Sequence, residues 1–323
     1  MRALLIAKPW RGGLGRYLYL AWESLLPGTT RWLPSYPDRP LARLAYLTDR
    51  GGWYQRLVET VARARSDLTL FINHREEFAA LPYRDRNILW LTDAPPASLN
   101  SDAPYGQVYV SDPGYAQRVR AAVGTARFAG TLPFAHLPEL HRPDAERAPA
   151  TRPLCFIANS DPKRDRHLRQ LFARGVHPDV YGNHFLRSPL YWRHPGVFHR
   201  SIPNQCMGRI YAAHRLTLNV HARVVREGTN MRTFECAGYG IPQLVEDRPG
   251  LAALFEPERE IFIYHEPEEL PERVAQVLAR PRAALAAAER ARKRALSEHT
   301  YQQRIMRILR GQGMDDVLGT RHE

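Results

Sequence analysis

Short apolar runs bounded by glycine, proline and polar turns recur along the whole chain. Leu4-Leu-Ile-Ala7, Leu68-Thr-Leu-Phe-Ile72, Asn87-Ile-Leu-Trp-Leu91 and Gln107-Val-Tyr-Val110 occupy the first half. Leu154-Cys-Phe-Ile-Ala158, Asp179-Val-Tyr-Gly182, Leu216-Thr-Leu-Asn-Val220, Gln243-Leu-Val-Glu246 and Glu260-Ile-Phe-Ile-Tyr264 occupy the second. Runs that do not alternate with polar residues are those of strands buried on both faces of a parallel sheet. Between them the spacing turns helical, at Tyr17–Ala21, Trp53–Ala64, His167–Ala173, Met207–His214, 229–236, Ala283–Ser297 and Glu298–Leu309. Strand–helix alternation predicts an α/β chain of βαβ units. The stretch 28–52, crossed by Pro34, Pro37 and Pro40, reads as loop, and 131–153 reads as a proline-rich linker.

Length and composition refine this picture. A chain of 323 residues suits two α/β domains of about 150 residues each. The expected boundaries are 1–145 for the first and 152–300 for the second, then a helix over 301–310 and a disordered tail over 311–323. No apolar run approaches the roughly 18 residues a membrane span needs. Three scattered cysteines, Cys155, Cys206 and Cys236, form neither a disulfide framework nor a metal knuckle. They favour a reducing, cytoplasmic setting, with Cys155 and Cys236 acting as small buried apolar residues. The net charge is +13, almost all of its cations being arginine, since the lysines are Lys8, Lys163 and Lys293. Such an excess attracts polyanions, whether DNA or an anionic polymer.

The chemistry concentrates in Arg226-Glu-Gly-Thr-Asn-Met-Arg-Thr-Phe-Glu235, closed by Gly238-Tyr239-Gly240. Glu227 precedes a predicted helix N-terminus and Glu235 lies two turns along it. Thr229 or Asn230 would cap that helix. A helix N-terminus offers N–H groups to a phosphate, and a nearby carboxylate accepts from sugar hydroxyls. A solvated helix with an i, i+3 pair of Arg232 and Glu235 would account for the second glutamate by itself. The strand before, the glycine elbow and the strand after mark a βαβ unit instead.

Other candidates sit beyond strand ends, where open α/β sheets bind ligands. Gly12, Gly13 and Gly15 follow the first strand. His74, Asp93 and Asp112 follow later ones, with Asp112 before Pro113 read as a helix cap. Lys163, Arg164 and Arg166 open a helix whose dipole they oppose unless an anion sits there, which suggests a diphosphate clamp. Asn219 and His221 end the strand that leads to Glu227. No Asp-x-Asp pair provides a metal site.

Leu218-Asn-Val-His221, Arg232-Thr-Phe-Glu235 and Gly240-Ile-Pro242, with Trp90-Leu-Thr-Asp93-Ala-Pro95 and the terminal His299-Thr-Tyr-Gln-Gln-Arg304, resemble the CgeB-type (spore-maturation-like) glycosyltransferases. The resemblance spans about 88–310. It implies a GT-B fold: two Rossmann-like domains facing across a cleft, with a C-terminal helix crossing back to the first. It implies a retaining, metal-independent transferase using a nucleoside-diphosphate sugar and no cofactor. Glu235 would hold the ribose, Glu227 the donor sugar, Asn230 and Arg232 sugar or phosphate, and Arg164 the diphosphate. The loop of Gly12, Gly13 and Gly15 would cover that diphosphate, and Asp93 or His74 would serve the acceptor side. A non-catalytic nucleotide- or nucleic-acid-binding protein, or a nucleotide-sugar epimerase, would carry many of the same features.

Overall fold

The computed structural model of the chain describes all residues except Arg11, 38–39, 144–149, 204–205 and 320–323. Part of the predicted linker and the end of the predicted tail therefore lie outside the described residues. The chain divides into two compact units, Met1–Phe134 together with Tyr301–Glu323, and Ala135–Thr300.

The first unit runs β1 (Ala3–Ala7), α1 (Leu14–Leu25), β2 (Thr30–Pro34), α2 (Pro40–Thr48), α3 (Arg50–Arg63), β3 (Leu68–Ile72), β4 (Arg84–Leu91), β5 (Tyr105–Val110), α4 (Ala116–Val123) and β6 (Phe128–Thr131). Its strands form one parallel sheet in the order β2-β1-β3-β4-β5-β6. The strand order reverses between β1 and β3, and such a switch point opens a crevice at the carboxyl ends of the strands. Every residue of β1 is buried, as its unbroken apolar run requires. Each fully buried Leu there and in β3 contributes about 1.5–3 kcal/mol.

The stretch 28–52 is not the loop expected from its prolines. It holds β2 and α2. β2 is an edge strand whose side chains are only partly covered, so it lacks the apolar signature of the interior strands. Its register with β1 and the 3.2 Å bond from Trp32 Nε1 to the Ala7 carbonyl hold it in place.

The second unit runs β7 (Arg152–Ile157), α5 (Pro162–Ala173), β8 (Asp179–Tyr181), α6 (Pro189–Arg193), β9 (Phe198–His199), α7 (Met207–Ala213), β10 (His214–Asn219), α8 (Met231–Tyr239), β11 (Gln243–Glu246), β12 (Phe262–Tyr264), α9 (Leu270–Leu278) and α10 (Pro281–Glu298). All its strand pairs are parallel, in the order β12-β11-β10-β7-β8-β9. The chain starts in the middle at β7, moves out to β9, then crosses back to β10. Its switch point is therefore between β7 and β10. Cys155 and Cys236 sit in the core of this unit, where burial raises both thiols, Cys236 to about 12. In α10 the small residues Ala284, Ala287, Ala288, Ala291 and Ala295 form the buried face, flanked by the half-buried Arg290, Arg292 and Arg294.

Two boundaries differ from expectation. Ala135–His141 belongs to the second unit rather than ending the first. The backbone N–H of His136 donates to the His299 carbonyl at 3.0 Å, and its ring Nδ1 lies 2.8 Å from the same oxygen. The tail is also ordered further than its polarity suggested. After α11 (Tyr301–Gly311), Met314 is buried and α12 (Asp316–Gly319) follows. α11 packs in the first unit, where buried Arg304 donates to the carbonyls of Pro133 at 2.8 Å and Phe134 at 3.0 Å. Burial pulls its guanidinium down to about 10.

Candidate active site

The switch point of the second unit opens into a cavity of about 230 Å³. Phe156, Ile157 and Ala158 line it from the end of β7, Leu218, Asn219 and Val220 from β10, and Asn230, Met231, Arg232 and Glu235 from α8. Asn159 and Arg164 complete it from the β7–α5 loop and the first turn of α5. The first turn of α8 thus borders the space, and a helix N-terminus favours a negative ligand there. α8 is aimed by its cap. Asn230 Oδ1 accepts from the Thr233 backbone at 3.2 Å, and the Asn230 and Asn219 amides bond reciprocally at 2.8 and 3.1 Å. Asn219 also donates to Thr233 Oγ1 at 2.9 Å, so β10 and α8 are pinned together at the cavity wall.

Glu235 is fully buried, and its Oε2 accepts from Arg232 Nη1 at 2.6 Å. Its Oε1 has no hydrogen-bond partner. Across the cavity, Arg164 spends two guanidinium nitrogens on the carbonyls of Asn159 (3.0 Å) and Val220 (3.5 Å), and lies 3.2 Å from Asp161. Its Nε is buried without a partner, and burial lowers the guanidinium pKa. A buried polar atom left unsatisfied costs about 1–3 kcal/mol, so each of these two atoms would gain from a polar partner brought to it.

Residues 164–310 match the family model described as glycosyl transferase-like. That segment is glycosyl transferase-like, and the chain as a whole has the GT-B fold. A sucrose-phosphate synthase from Thermosynechococcus elongatus superposes with a TM-score of 0.70 at 13% identity, covering 98% of this chain and 99% of that one. The Anabaena protein HepE in complex with UDP-glucose gives 0.69 at 11% identity, covering 97% and 100%. The DNA modifying enzyme β-glucosyltransferase gives 0.58 at 10% identity, covering 98% and 99%. At these identities the likeness is one of fold. No curated protein matches the chain in sequence.

In the second unit, Arg164, Asn219, Asn230, Arg232 and Glu235 converge on one cavity, while other predicted site residues lie elsewhere. Of the predicted clamp, only Arg164 lines the space. Lys163 Nζ donates to Glu246 Oε2 at 2.7 Å and to the His221 carbonyl at 3.1 Å, and Arg248 holds the other oxygen of Glu246 at 2.6 Å. Glu246 ends β11, and nothing in the local sequence of α5 announces so distant a partner. Arg166 points to the surface, 3.0 Å from Glu268. Asp161 caps α5 by accepting from Lys163 N and Arg164 N at 2.8 and 3.0 Å, which occupies the donors expected for a phosphate.

His221 is buried beside Glu246, outside the cavity lining, with neither ring nitrogen hydrogen-bonded. Burial lowers its pKa to about 3. Glu227 is exposed on the turn between β10 and α8, outside the lining, and its carbonyl accepts from Gly250 N at 2.7 Å. A residue missed in the sequence is His141, whose Nε2 lies 3.8 Å from Glu235 Oε1. It belongs to the stretch read as linker, about 100 positions from its partner, so no local spacing could have revealed it.

In the first unit, Gly12 and Gly13 lie between β1 and α1 and Gly15 in the first turn of α1, at that unit's own switch point. A Cβ at Gly15 would stand 2.7 Å from the Lys8 carbonyl and 2.8 Å from Ala7 Cβ, so the helix reaches its strand only with glycine there. Asp93 is exposed after β4, with Oδ2 accepting from Asn73 Nδ2 at 2.9 Å. His74 is not a surface residue: it is buried, 2.9 Å from the Tyr105 hydroxyl, and burial lowers its pKa to about 4. Asp112 caps the turn at Pro113 by accepting from Gly114 N at 2.9 Å. Among the described residues no three His, Cys, Asp or Glu converge to hold a metal ion, and no helix is long and apolar enough to cross a membrane.

Proposed function

We propose that the cavity between β7, β10 and α8 binds the nucleoside diphosphate of a nucleotide sugar, and that the chain transfers the sugar with retention and without a metal. The observation that carries this reading is the pairing, in one cavity, of an anion-seeking Arg164 with a hydroxyl-seeking Glu235, each with a buried unsatisfied atom. A ribose diphosphate has hydroxyls at one end and anionic oxygens at the other, and it spans such a pair. HepE, of the same fold, is described in complex with UDP-glucose. The leaving diphosphate gains charge as the anomeric carbon–oxygen bond breaks. Arg164, Arg232 and the first turn of α8 supply fixed positive potential for it.

Glu227, on the exposed turn outside the lining, is the proposed contact to the donor sugar, and Asp93 the proposed acceptor-side carboxylate. His74, buried beside the Tyr105 hydroxyl, is the alternative acceptor-side residue to Asp93. The excess positive charge supports a polyanionic acceptor, such as DNA or an anionic surface polymer.

Calorimetric titration with UDP, GDP and ADP tests the donor site. At least one should bind, and Glu235→Ala should weaken it by about 1.5–3 kcal/mol, the range for hydrogen bonds to a charged group. Arg164→Met should do likewise, with phosphate-free nucleoside binding unaffected. If none of the three binds, or if both variants bind as the parent does, the reading fails. Turnover of the matching nucleotide sugar should survive EDTA. Activity that EDTA abolishes and manganese restores would overturn metal independence. Product analysis separates transfer from epimerisation, and absence of any turnover marks a binding protein.

A further inference from the structure

The segment that joins the two units in sequence passes directly behind Glu235. His136 fixes its start through two contacts to the His299 carbonyl. One turn later His141 closes it, its backbone N–H donating to the Leu137 carbonyl at 2.8 Å. The Leu137 N–H donates in return to His141 Nδ1 at 3.0 Å. An Nδ1 that accepts leaves the proton of a neutral ring on Nε2. That Nε2 faces Glu235 Oε1 at 3.8 Å, both side chains being sealed from solvent. Burial keeps the ring neutral, lowering its pKa to about 3. The ring packs edge-on against Tyr239, with centroids 5.4 Å apart.

Gly238 explains why this approach is possible. It lies one turn beyond Glu235 on α8. A Cβ there would stand 2.8 Å from the His141 carbonyl oxygen, 3.0 Å from His141 Cβ and 2.7 Å from His136 Cδ2. Real side chains do not tolerate such contacts with backbone, so glycine lets the segment lie against the helix. The glycine elbow after Glu235 therefore has a packing role beyond closing α8.

We propose that 137–141 is a positioning strap for the donor site, in which His141 orients the Glu235 carboxylate from behind while Arg232 holds it from the side. Arg232 fixes Oε2 by a short charged bond. His141 aims an N–H at Oε1 from a distance longer than a hydrogen bond, so it steers that oxygen without occupying it. A neutral donor suits this task, because a second cation would draw Oε1 into an ion pair and away from ligand hydroxyls. His141 is a positioning residue: it acts on the ligand through Glu235. The inference rests on the reading of Glu235 as a ribose-binding group.

The test compares ribonucleoside diphosphates with their 2′-deoxy counterparts, using UDP, GDP and ADP by calorimetry on the full chain. The parent should favour the ribose form of its preferred nucleotide about tenfold, as expected for one hydroxyl bound to a carboxylate. His141→Asn keeps an acceptor for the Leu137 N–H and removes the Nε2 donor. It should reduce that preference to about twofold while leaving deoxy binding nearly unchanged. His141→Gln restores a donor near the Nε2 position and should recover most of the preference. Gly238→Ala displaces the strap and should match His141→Asn, and a melting curve of each free variant confirms that it is folded. A parent that binds with no ribose preference overturns the reading of Glu235 and this inference together. A parent with the preference, retained in His141→Asn, overturns this inference alone. So does an equal loss of ribose and deoxy binding, which marks a purely structural role.

Discussion

A carboxylate taken fully out of water carries a penalty of several kcal/mol that only a close partner offsets. Glu235 has such a partner in Arg232, whose side chain is 24% exposed and therefore partly screened. Arg232→Met should destabilise the chain by about 2–4 kcal/mol, because it leaves a buried charge without its strongest bond. Adding Glu235→Gln should recover much of that loss, a coupling that a double-mutant cycle of urea midpoints measures. Additive effects would mean that the two side chains are not paired in solution. Asp179 offers a second residue-level test. Burial alone would raise its pKa, but hydrogen bonds from His199, His214 and Arg152 outweigh it and hold the group at about 2. A depressed carboxyl pKa stabilises the fold above its unfolded value and loses that contribution as pH falls through the folded one. The stability gap between the parent and Asp179→Asn should therefore be full at pH 6 and close between about pH 4 and pH 2. A gap that is unchanged at pH 2 would contradict the assignment.

At the scale of elements, α8 shows what the sequence could and could not disclose. Its start was legible, because Asn230 is a strong cap preceding an apolar face, and its stop was legible in Gly240. Gly240 adopts φ 65°, with its N–H donating to Ala237 at 3.0 Å and Ile241 N donating to Cys236 at 3.3 Å. Gly240→Ala should cost about 1 kcal/mol by forcing a side chain into the left-handed region, visible as a lower melting temperature. No loss of stability would show that the turn relaxes. The interior strands were equally legible, since burial on both faces leaves unbroken apolar runs. Edge strand β2 was not, because only part of its surface is covered. Among the candidate site residues, local geometry accounts for the grouping of Glu235, Arg232, Asn230 and Asn219, which lie at the start of one helix and the adjoining strand end. What failed was the direction of long basic side chains. Lys163 turns to Glu246 and Arg166 turns to Glu268, each decided by a group far away in sequence. His141 was invisible for the same reason.

At the scale of the whole molecule, 46 cationic side chains face 33 acidic ones, an excess of 13 that no internal pairing can neutralise. Some of the arginines serve structure, as Arg304 does in holding α11, or Arg294 in holding Glu260 at 2.8 Å. The remaining excess gives the surface a positive field that acts over about 10 Å at 0.1 M salt. If the proposed acceptor is a polyanion, binding must release its condensed counterions. Affinity for duplex DNA should then fall with salt at a log–log slope of about −0.9 per phosphate contacted, so five contacts predict a loss of about 500-fold between 50 and 200 mM. A neutral oligosaccharide should show no such dependence. Fluorescence anisotropy with labelled DNA at both salt concentrations measures the slope, and transfer of label from a radioactive nucleotide sugar shows whether the bound polymer is an acceptor. Failure to bind DNA at 50 mM salt would remove DNA from the candidates. Steep salt dependence without transfer would assign the charge to general polyanion attraction, leaving the acceptor to be sought among neutral glycans and other anionic polymers.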